Sequence, residues 1–379
     1  MLFKENTMKK IISIALTLIL ALSVMTFIGC KKDSGVSNKE TTFVYELKKN
    51  VDEDGNKDDY YVIRGFKVSD EDADKMEDGE IVKKEMVVPA TYNNLPVREI
   101  LEGALKNQKI ITKLSFEKNA DGTFNIQTIN SGAFAGCVNL TEIELPFIGK
   151  SADAVNEEKV FGYVFGEEQI DGCTSVEQSY NSGTDTKTYY IPSSLTTVTL
   201  IGNKLPIYAF CGNTVLKKIV LNSSVTAIPE GAFKGCTALD EIVLPDSVTK
   251  IGDDAFNGCT GLYGIDFNKV TTIGNNAFKG CTKLGFGENE LIISSTVETL
   301  GESAFEGCTT ISKLSIACLE ISRNAFFGCS ELTYVNLTCL NGGTIKSMAF
   351  MNCDKLKAEN VKNLGIYAVE SNAFDFNNV

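Results

Sequence analysis

Residues 228–245 read Ile228-Pro229-Glu230-Gly231-Ala232-Phe233-Lys234-Gly235-Cys236-Thr237-Ala238-Leu239-Asp240-Glu241-Ile242-Val243-Leu244-Pro245, and the same pattern starts again at Ile251. Its centre, the pair Ala-Phe, occurs nine times in one setting, with phenylalanines at Phe134, Phe210, Phe233, Phe256, Phe278, Phe305, Phe326, Phe350 and Phe374. From Phe210 onward the successive spacings are 23, 23, 22, 27, 21, 24 and 24 residues. Self-similarity at a period of roughly 20–50 residues marks a stacked repeat array rather than a set of independent globules.

The surrounding positions repeat as well. Five residues before each phenylalanine stand Ile129, Leu205, Ile228, Ile251, Ile273, Leu300, Ile321, Ile345 and Val369. Three residues after it comes Cys137, Cys236, Cys259, Cys281, Cys308, Cys329 or Cys353, with Asn213 and Asn377 in the remaining two repeats. The segment that follows, Leu-x-x-Ile-x-Leu, alternates at its end as a short strand with one buried face does; examples are Leu239-x-x-Ile242-x-Leu244 and Leu332-x-x-Val335-x-Leu337. A module this small has too little interior to bury its own apolar face. Copies must therefore stack, with strands about 4.8 Å apart and the phenylalanines in a column. Each ring so buried contributes on the order of 1.5–3 kcal/mol.

The full pattern, Ile-x-x-x-Ala-Phe-x-Gly-Cys-x-x-Leu-x-x-Ile-x-Leu-Pro, resembles the BspA-type leucine-rich repeat of bacterial surface proteins. The resemblance runs from about Val87 to Val379, and Val87–Val97 is similar to the family's opening segment, followed by a first repeat with Leu105 in the phenylalanine position. It implies a leucine-rich-repeat solenoid of stacked parallel short strands, with repeats of 22–24 residues, a phenylalanine spine and a Cys/Asn ladder. One stretch, about 147–190, interrupts the period and rejoins it at Leu195-x-x-Val198-x-Leu200; it is expected as a protruding loop on an otherwise continuous solenoid.

Upstream of the repeats the chain has a different character. Residues 1–29 have the layout of a secretory signal, with Lys9 and Lys10 ahead of an apolar run from Ile11 to about Val24. Phe27-Ile28-Gly29-Cys30 resembles the bacterial lipobox, which implies lipidation of Cys30, removal of the signal and a tether over 30–41. Met8 opens a cleaner signal than Met1. Residues 42–86 form a small acidic N-terminal cap region with strand-like runs at Phe43–Leu47 and Tyr60–Phe66. Between these runs, Asp52–Asp59 has oxygen ligands around a Gly as a calcium loop does, but lacks the closing Glu; a solvated hairpin turn explains it equally.

Composition narrows the function. A net charge of −13 disfavours nucleic acid and anionic surfaces, which require clustered Lys and Arg. Histidine is absent, which removes the common general base, the Ser–His and Cys–His nucleophile pairs and the commonest zinc ligand. No catalytic, cofactor-binding or metal site is expected. The twelve cysteines include no Cys-x-x-Cys pair. Seven fall in one column with side chains pointing the same way, unlike the opposed geometry of a disulfide, so they read as reduced, buried thiols. Cys318 and Cys339 follow successive strands and are the one pair placed to bridge.

The remaining chemistry lies between the buried positions of each strand. There Lys218, Val220, Glu241, Val243, Tyr263, Asp266, Lys313, Ser315, Tyr334 and Asn336 point outward from an extended, concave sheet. The expectation is an exported, lipid-anchored envelope protein, displayed at the surface, that binds a protein ligand through this face. The resemblance implies that the ligand is a host extracellular protein or another cell-surface protein. An envelope scaffold without a host ligand is the alternative, followed by an enzyme using carboxylates in the 147–190 stretch.

Overall fold

The computed structural model describes residues 40, 42–51, 55–267, 269–285, 290–338, 343–363 and 367–375. The expected signal, the lipobox cysteine Cys30, Asp52–Asp54 of the acidic loop, Cys339 and Asn377 lie outside them. Among the described residues no helix is long and apolar enough to cross a membrane.

The repeats build a solenoid whose turns contribute one short strand each to a parallel sheet. In order along that sheet lie Lys84–Val88, Ile111–Phe116, Glu142–Leu145, Thr197–Leu200, Lys218–Leu221 and Glu241–Val243. After an interruption it resumes as Leu291–Ile293, Lys313–Ile316, Tyr334–Leu337 and Val361–Lys362. A second ladder of short strands runs through the Ile positions ahead of the phenylalanines, Ala227–Ile228, Lys250–Ile251, Thr272–Ile273 and Thr299–Leu300, again all parallel. Register is uniform because the repeats are copies: Ile219 pairs with Ile242, and Ile251 with Ile273.

Between the ladders runs the ring column. From Phe210 to Phe374 each ring stacks on the next, with centroids 4.9–5.6 Å apart and planes 2–21° apart. The alanine beside each ring is fully buried and its carbonyl serves the previous turn. Phe233 N donates to Ala255 O at 2.8 Å, and Phe256 N to Ala277 O at 2.7 Å. These bonds satisfy backbone groups that would otherwise be buried without partners. Leu105 follows the same rule, fully buried with its N–H on Ala133 O at 2.8 Å, so the first turn carries leucine where later ones carry phenylalanine.

The cysteine column lies alongside. Each thiol donates to the ring residue's carbonyl one turn earlier: Cys236 to Phe210 O at 3.1 Å, Cys259 to Phe233 O at 3.0 Å, Cys308 to Phe278 O at 3.1 Å. A small side chain with a weak donor fits this slot. Asn213 occupies it with its oxygen accepting from the N–H groups of Val215 and Leu216, while its Nδ2 is buried without a partner.

The 147–190 stretch differs from a protruding loop. Val160, Phe161, Val164 and Phe165 are fully buried, and Phe134 N donates to Val164 O at 2.9 Å as it would to a repeat alanine. Phe165 meets Phe134 at 6.1 Å and Phe161 at 5.2 Å; Phe161 meets Phe210 at 5.1 Å. The stretch thus supplies an irregular turn whose two rings bridge the column. Only afterwards does the chain depart from the repeat, as an antiparallel hairpin of Cys173–Tyr180 and Asp185–Pro192. Even this hairpin is anchored inward: Tyr189 is 1% exposed, and buried Gln178 accepts from Gly162 N and donates to Cys211 O.

At the N-terminal end, Thr42–Lys48 and Tyr60–Lys67 form an antiparallel pair, the latter parallel to Leu95–Ile100. One helix, Asp70–Glu77, is capped by Ser69, whose Oγ accepts from Asp72 N at 3.1 Å, with Asp70, Glu71 and Asp72 in its first turn. Asp58, in the acidic loop, instead holds Arg98 through two contacts of 2.6 Å.

Candidate functional site

Each strand of the long sheet buries alternate residues and turns the others outward. Ile219 and Leu221 face the core while Lys218 and Val220 face out, and the pairings Lys218–Glu241 and Val220–Val243 align the outward residues of adjacent turns into two rows. The first row is charged and self-compensating. Lys113 meets Glu142 at 3.4 Å, and Lys218 meets Glu241 at 2.8 Å. Exposed pairs of this kind contribute at most about 1 kcal/mol each.

The second row changes along its length. Toward the C-terminal end its members bond to one another or their neighbours: Ser315 Oγ to Glu290 at 2.6 Å, and Asn336 Nδ2 to Ser315 Oγ at 3.4 Å. In the middle it carries exposed apolar side chains on either side of exposed Asp266. Val220 is 38% exposed, Val243 69% and Ile292 60%, with Tyr263 at 47% beside them. These side chains face water. Large apolar side chains clustered in the exposed part of one face are a property of interaction surfaces.

The apolar stretch coincides with the interruption in the sheet. Among the described residues Glu241–Val243 pairs only with Lys218–Leu221, and Leu291–Ile293 only with Lys313–Ile316. Tyr263–Phe267 runs between these edges but joins neither ladder. Repeat length accounts for this. Leu262 to Ile273 is 11 residues where Leu239 to Ile251 is 12, and Leu284 to Leu291 is 7 where Leu239 to Ile242 is 3. Copies of unequal length lose register where the lengths differ. The ring column does not open there: Phe278 lies 5.1 Å from both Phe256 and Phe305, and Phe267 wedges edge-on against Phe278 at 5.5 Å. The opening is confined to the sheet side. It leaves a cleft of about 350 Å³ lined by Ile242–Asp246 and Val248 on one side and by Gly264–Asp266, Lys269 and Val270 on the other, and one of about 430 Å³ lined by Tyr263–Phe267 and by Leu284, Gly285, Glu290–Ile292 and Ser294.

All ten residues read from the sequence as outward-facing are half-buried or exposed. Eight lie on paired strands; Tyr263 and Asp266 border the seam instead. Three residues of the surface were missed: Gly264, Glu290 and Ile292. The 27-residue spacing between Phe278 and Phe305 was the available signal, since it displaces the strand of that repeat from its usual offset.

Elsewhere the structure brings little reactive chemistry together. Burial pushes the thiols of Cys137, Cys281 and Cys353 up to about 12 and those of Cys259, Cys308 and Cys329 well above their usual range, which leaves them protonated and inert. Cys318 is buried. No group of three or more Cys, Asp or Glu side chains able to hold a metal ion occurs among the described residues.

Comparison with known proteins bears on the same repeats. The family model described as BspA type leucine rich repeat region matches in six copies over residues 98–199, 203–318 and 285–379. Among solved structures, a leucine rich cell surface protein from Faecalibacterium prausnitzii A2-165 matches at 20% identity, covering 86% of this chain and 89% of that one, with a TM-score of 0.34. A leucine-rich repeat protein from Bacteroides ovatus matches at 20% identity over 82% and 80% of the two chains, with a TM-score of 0.35. One from Eubacterium ventriosum matches at 20% identity over 88% and 93%, with a TM-score of 0.35. No curated protein matches.

Proposed function

Because the chain belongs to the BspA-type leucine-rich repeat family, we propose that it is a protein-binding module of the cell envelope, held by a lipid on Cys30 and engaging its partner through the outward rows of the long sheet. One observation carries this reading: Val220 and Val243, paired on adjacent strands, and Ile292, across the interruption in the sheet, are exposed to water instead of being replaced by polar residues. Such exposure costs solubility and gains nothing for the fold, whose core is complete without them. A partner that covers them recovers about 25 cal/mol per Å² of apolar area buried. Tyr263 and Tyr334 add aromatic side chains of the kind enriched at protein contacts. Lys218, Glu241 and Lys313 form a polar surround. Neither the absence of histidine nor the inert thiols favours catalysis at this face.

Site-specific photo-crosslinking on intact cells tests the reading. A crosslinker at Val243 or Ile292 is expected to yield discrete protein adducts, and one at Lys250 on the second ladder is expected to yield none. Equal labelling from all three positions would remove the face from consideration. Surface display and anchoring are read separately. Protease added to intact cells should cleave the chain, and Cys30→Ala should abolish incorporation of labelled fatty acid.

A further inference from the structure

The seam is a more specific feature than the face that contains it. Gly264 and Ile265 carry no backbone hydrogen bond among the described residues, although the strands two turns away on either side, at Ile219 and Leu314, are paired on both edges. Among the described residues, the Glu241–Val243 and Leu291–Ile293 edges that face them have no strand partner on that side. Unpaired strand edges are templates for another extended chain. In most solenoid sheets they occur only at the ends, whereas here they lie in the interior of the array.

Gly264 makes them reachable. Its position in the outward row is filled by Lys218, Glu241, Lys313 and Tyr334 in other turns. Glycine is not needed there for the fold. Its backbone lies outside the left-handed region, and a Cβ added to it would meet nothing within 4 Å. What the missing side chain does is uncover main-chain groups in the floor of the two clefts. The walls supply the rest of a recognition surface. Val243, Tyr263 and Ile292 are apolar, and Asp246, Asp266 and Glu290 outnumber Lys269 among the charged residues lining the clefts.

We propose that this seam is a docking slot for an extended peptide segment of a partner protein, with apolar residues alternating with basic ones. The segment hydrogen-bonds to the exposed main chain at Gly264 and Ile265 and to the facing edge of Leu291–Ile293. Main-chain bonds supply affinity in such strand addition, and alternate side chains supply selectivity. One set of the peptide's side chains packs on Val243 and Ile292; the other presents Lys or Arg to the acidic lining. The −13 net charge of the chain favours the approach of a basic segment. The larger cleft, about 430 Å³, lies within the size range of peptide and ligand sites. The proposal rests on the protein-binding reading above and narrows it to one partner chemistry.

The test uses the full chain and a blocked, fluorescent hexapeptide of alternating Val and Lys. Binding is followed by anisotropy and by hydrogen exchange at 264–265 and 291–293. The peptide is expected to bind and to protect those amides. Backbone N-methylation of the peptide, replacement of its Lys by Glu, and the Gly264→Lys substitution are each expected to weaken binding by about tenfold or more. Gly264→Lys should shift the Tm by less than about 2 °C, since the side chain enters open space. Equal binding by the N-methylated peptide, or by Gly264→Lys, overturns the proposal, as does protection located away from the seam. Failure of the peptide while Val243 and Ile292 still crosslink to a partner rejects the seam and leaves the face. Peptide binding at the seam without any crosslinked partner supports the slot and counts against the proposed cellular role.

Discussion

Removing one ring from the middle of the column tests how stability is distributed along the solenoid. Phe278 is fully buried, stacked between Phe256 and Phe305 at 5.1 Å on each side, and touched edge-on by Phe267 at 5.5 Å. Phe278→Ala removes the whole ring from a site walled by other rings and by stacked backbone, which cannot collapse inward without breaking the ladder. A cost of about 3–5 kcal/mol follows. Phe278→Leu restores most of the apolar volume but loses three ring contacts, each contributing roughly 0.5–1.5 kcal/mol beyond burial, so it should cost at least about 1.5 kcal/mol and less than the alanine variant. Because each turn touches only its neighbours, the loss should stay local and divide the array into two weakly coupled blocks. Guanidinium unfolding followed by circular dichroism should show a lowered midpoint and a shallower transition. Native-state hydrogen exchange should accelerate between about Phe256 and Phe326 and remain unchanged at Thr42–Ile100. A loss under about 1 kcal/mol, or acceleration spread evenly over every turn, would refute the column as the main cohesive element.

Backbone conformation separates two glycines that look alike in sequence. Gly258 sits at φ +76°, and an added Cβ would meet only Gly235 at 3.7 Å, so Gly258→Ala should cost about 1–2 kcal/mol through left-handed strain alone, while Gly264→Ala should stay within about 0.5 kcal/mol; urea titration of both variants compares them directly. Gly162→Ala probes whether the irregular turn belongs to the core. Its Cβ would stand 2.5 Å from the Tyr189 ring, and the overpacking should cost about 1–3 kcal/mol by the same titration, whereas a solvated loop would show no loss. The thiol column predicts an alkaline limit. Cys137, Cys281 and Cys353 hold their protons to about 12 when folded but to about 8.5 when unfolded, so the stability they contribute is complete below about pH 8.5 and is lost as the pH rises toward about 12. Melting temperatures measured from pH 7 to 11 should therefore fall above about pH 8.5. Under native conditions at pH 8 a thiol reagent should modify partly exposed Cys173 and leave these three silent until denaturant is added.

Period and composition were enough to place the ring column, the thiol ladder and the alternation of each strand, because every repeat presents the same local problem and stacking offers it one solution. Leu105 could be placed as a first turn for the same reason. The limits of that legibility follow from the same physics. Val164-Phe165 matches neither the alanine nor the cysteine of the pattern, so the irregular turn around Phe161 could be recognised only once its rings were seen bridging Phe134 and Phe210. A similar hidden rule governs the residue two places before each ring. Tyr208, Asp254, Asn276, Ser303, Asn324 and Met348 all sit at φ between +53° and +61°, a left-handed position that glycine marks in sequence at only a few turns.

Local repetition thus determined which residues of this protein lie inside and which face water. The register between neighbouring turns decided where the sheet closes and where it opens. A turn one residue short, followed by one several residues long, keeps every ring in its column, since each is held by contacts to its immediate neighbours. It still separates the strands on the opposite side. That separation depends on the lengths of two turns taken together, and no single copy of the repeat contains it.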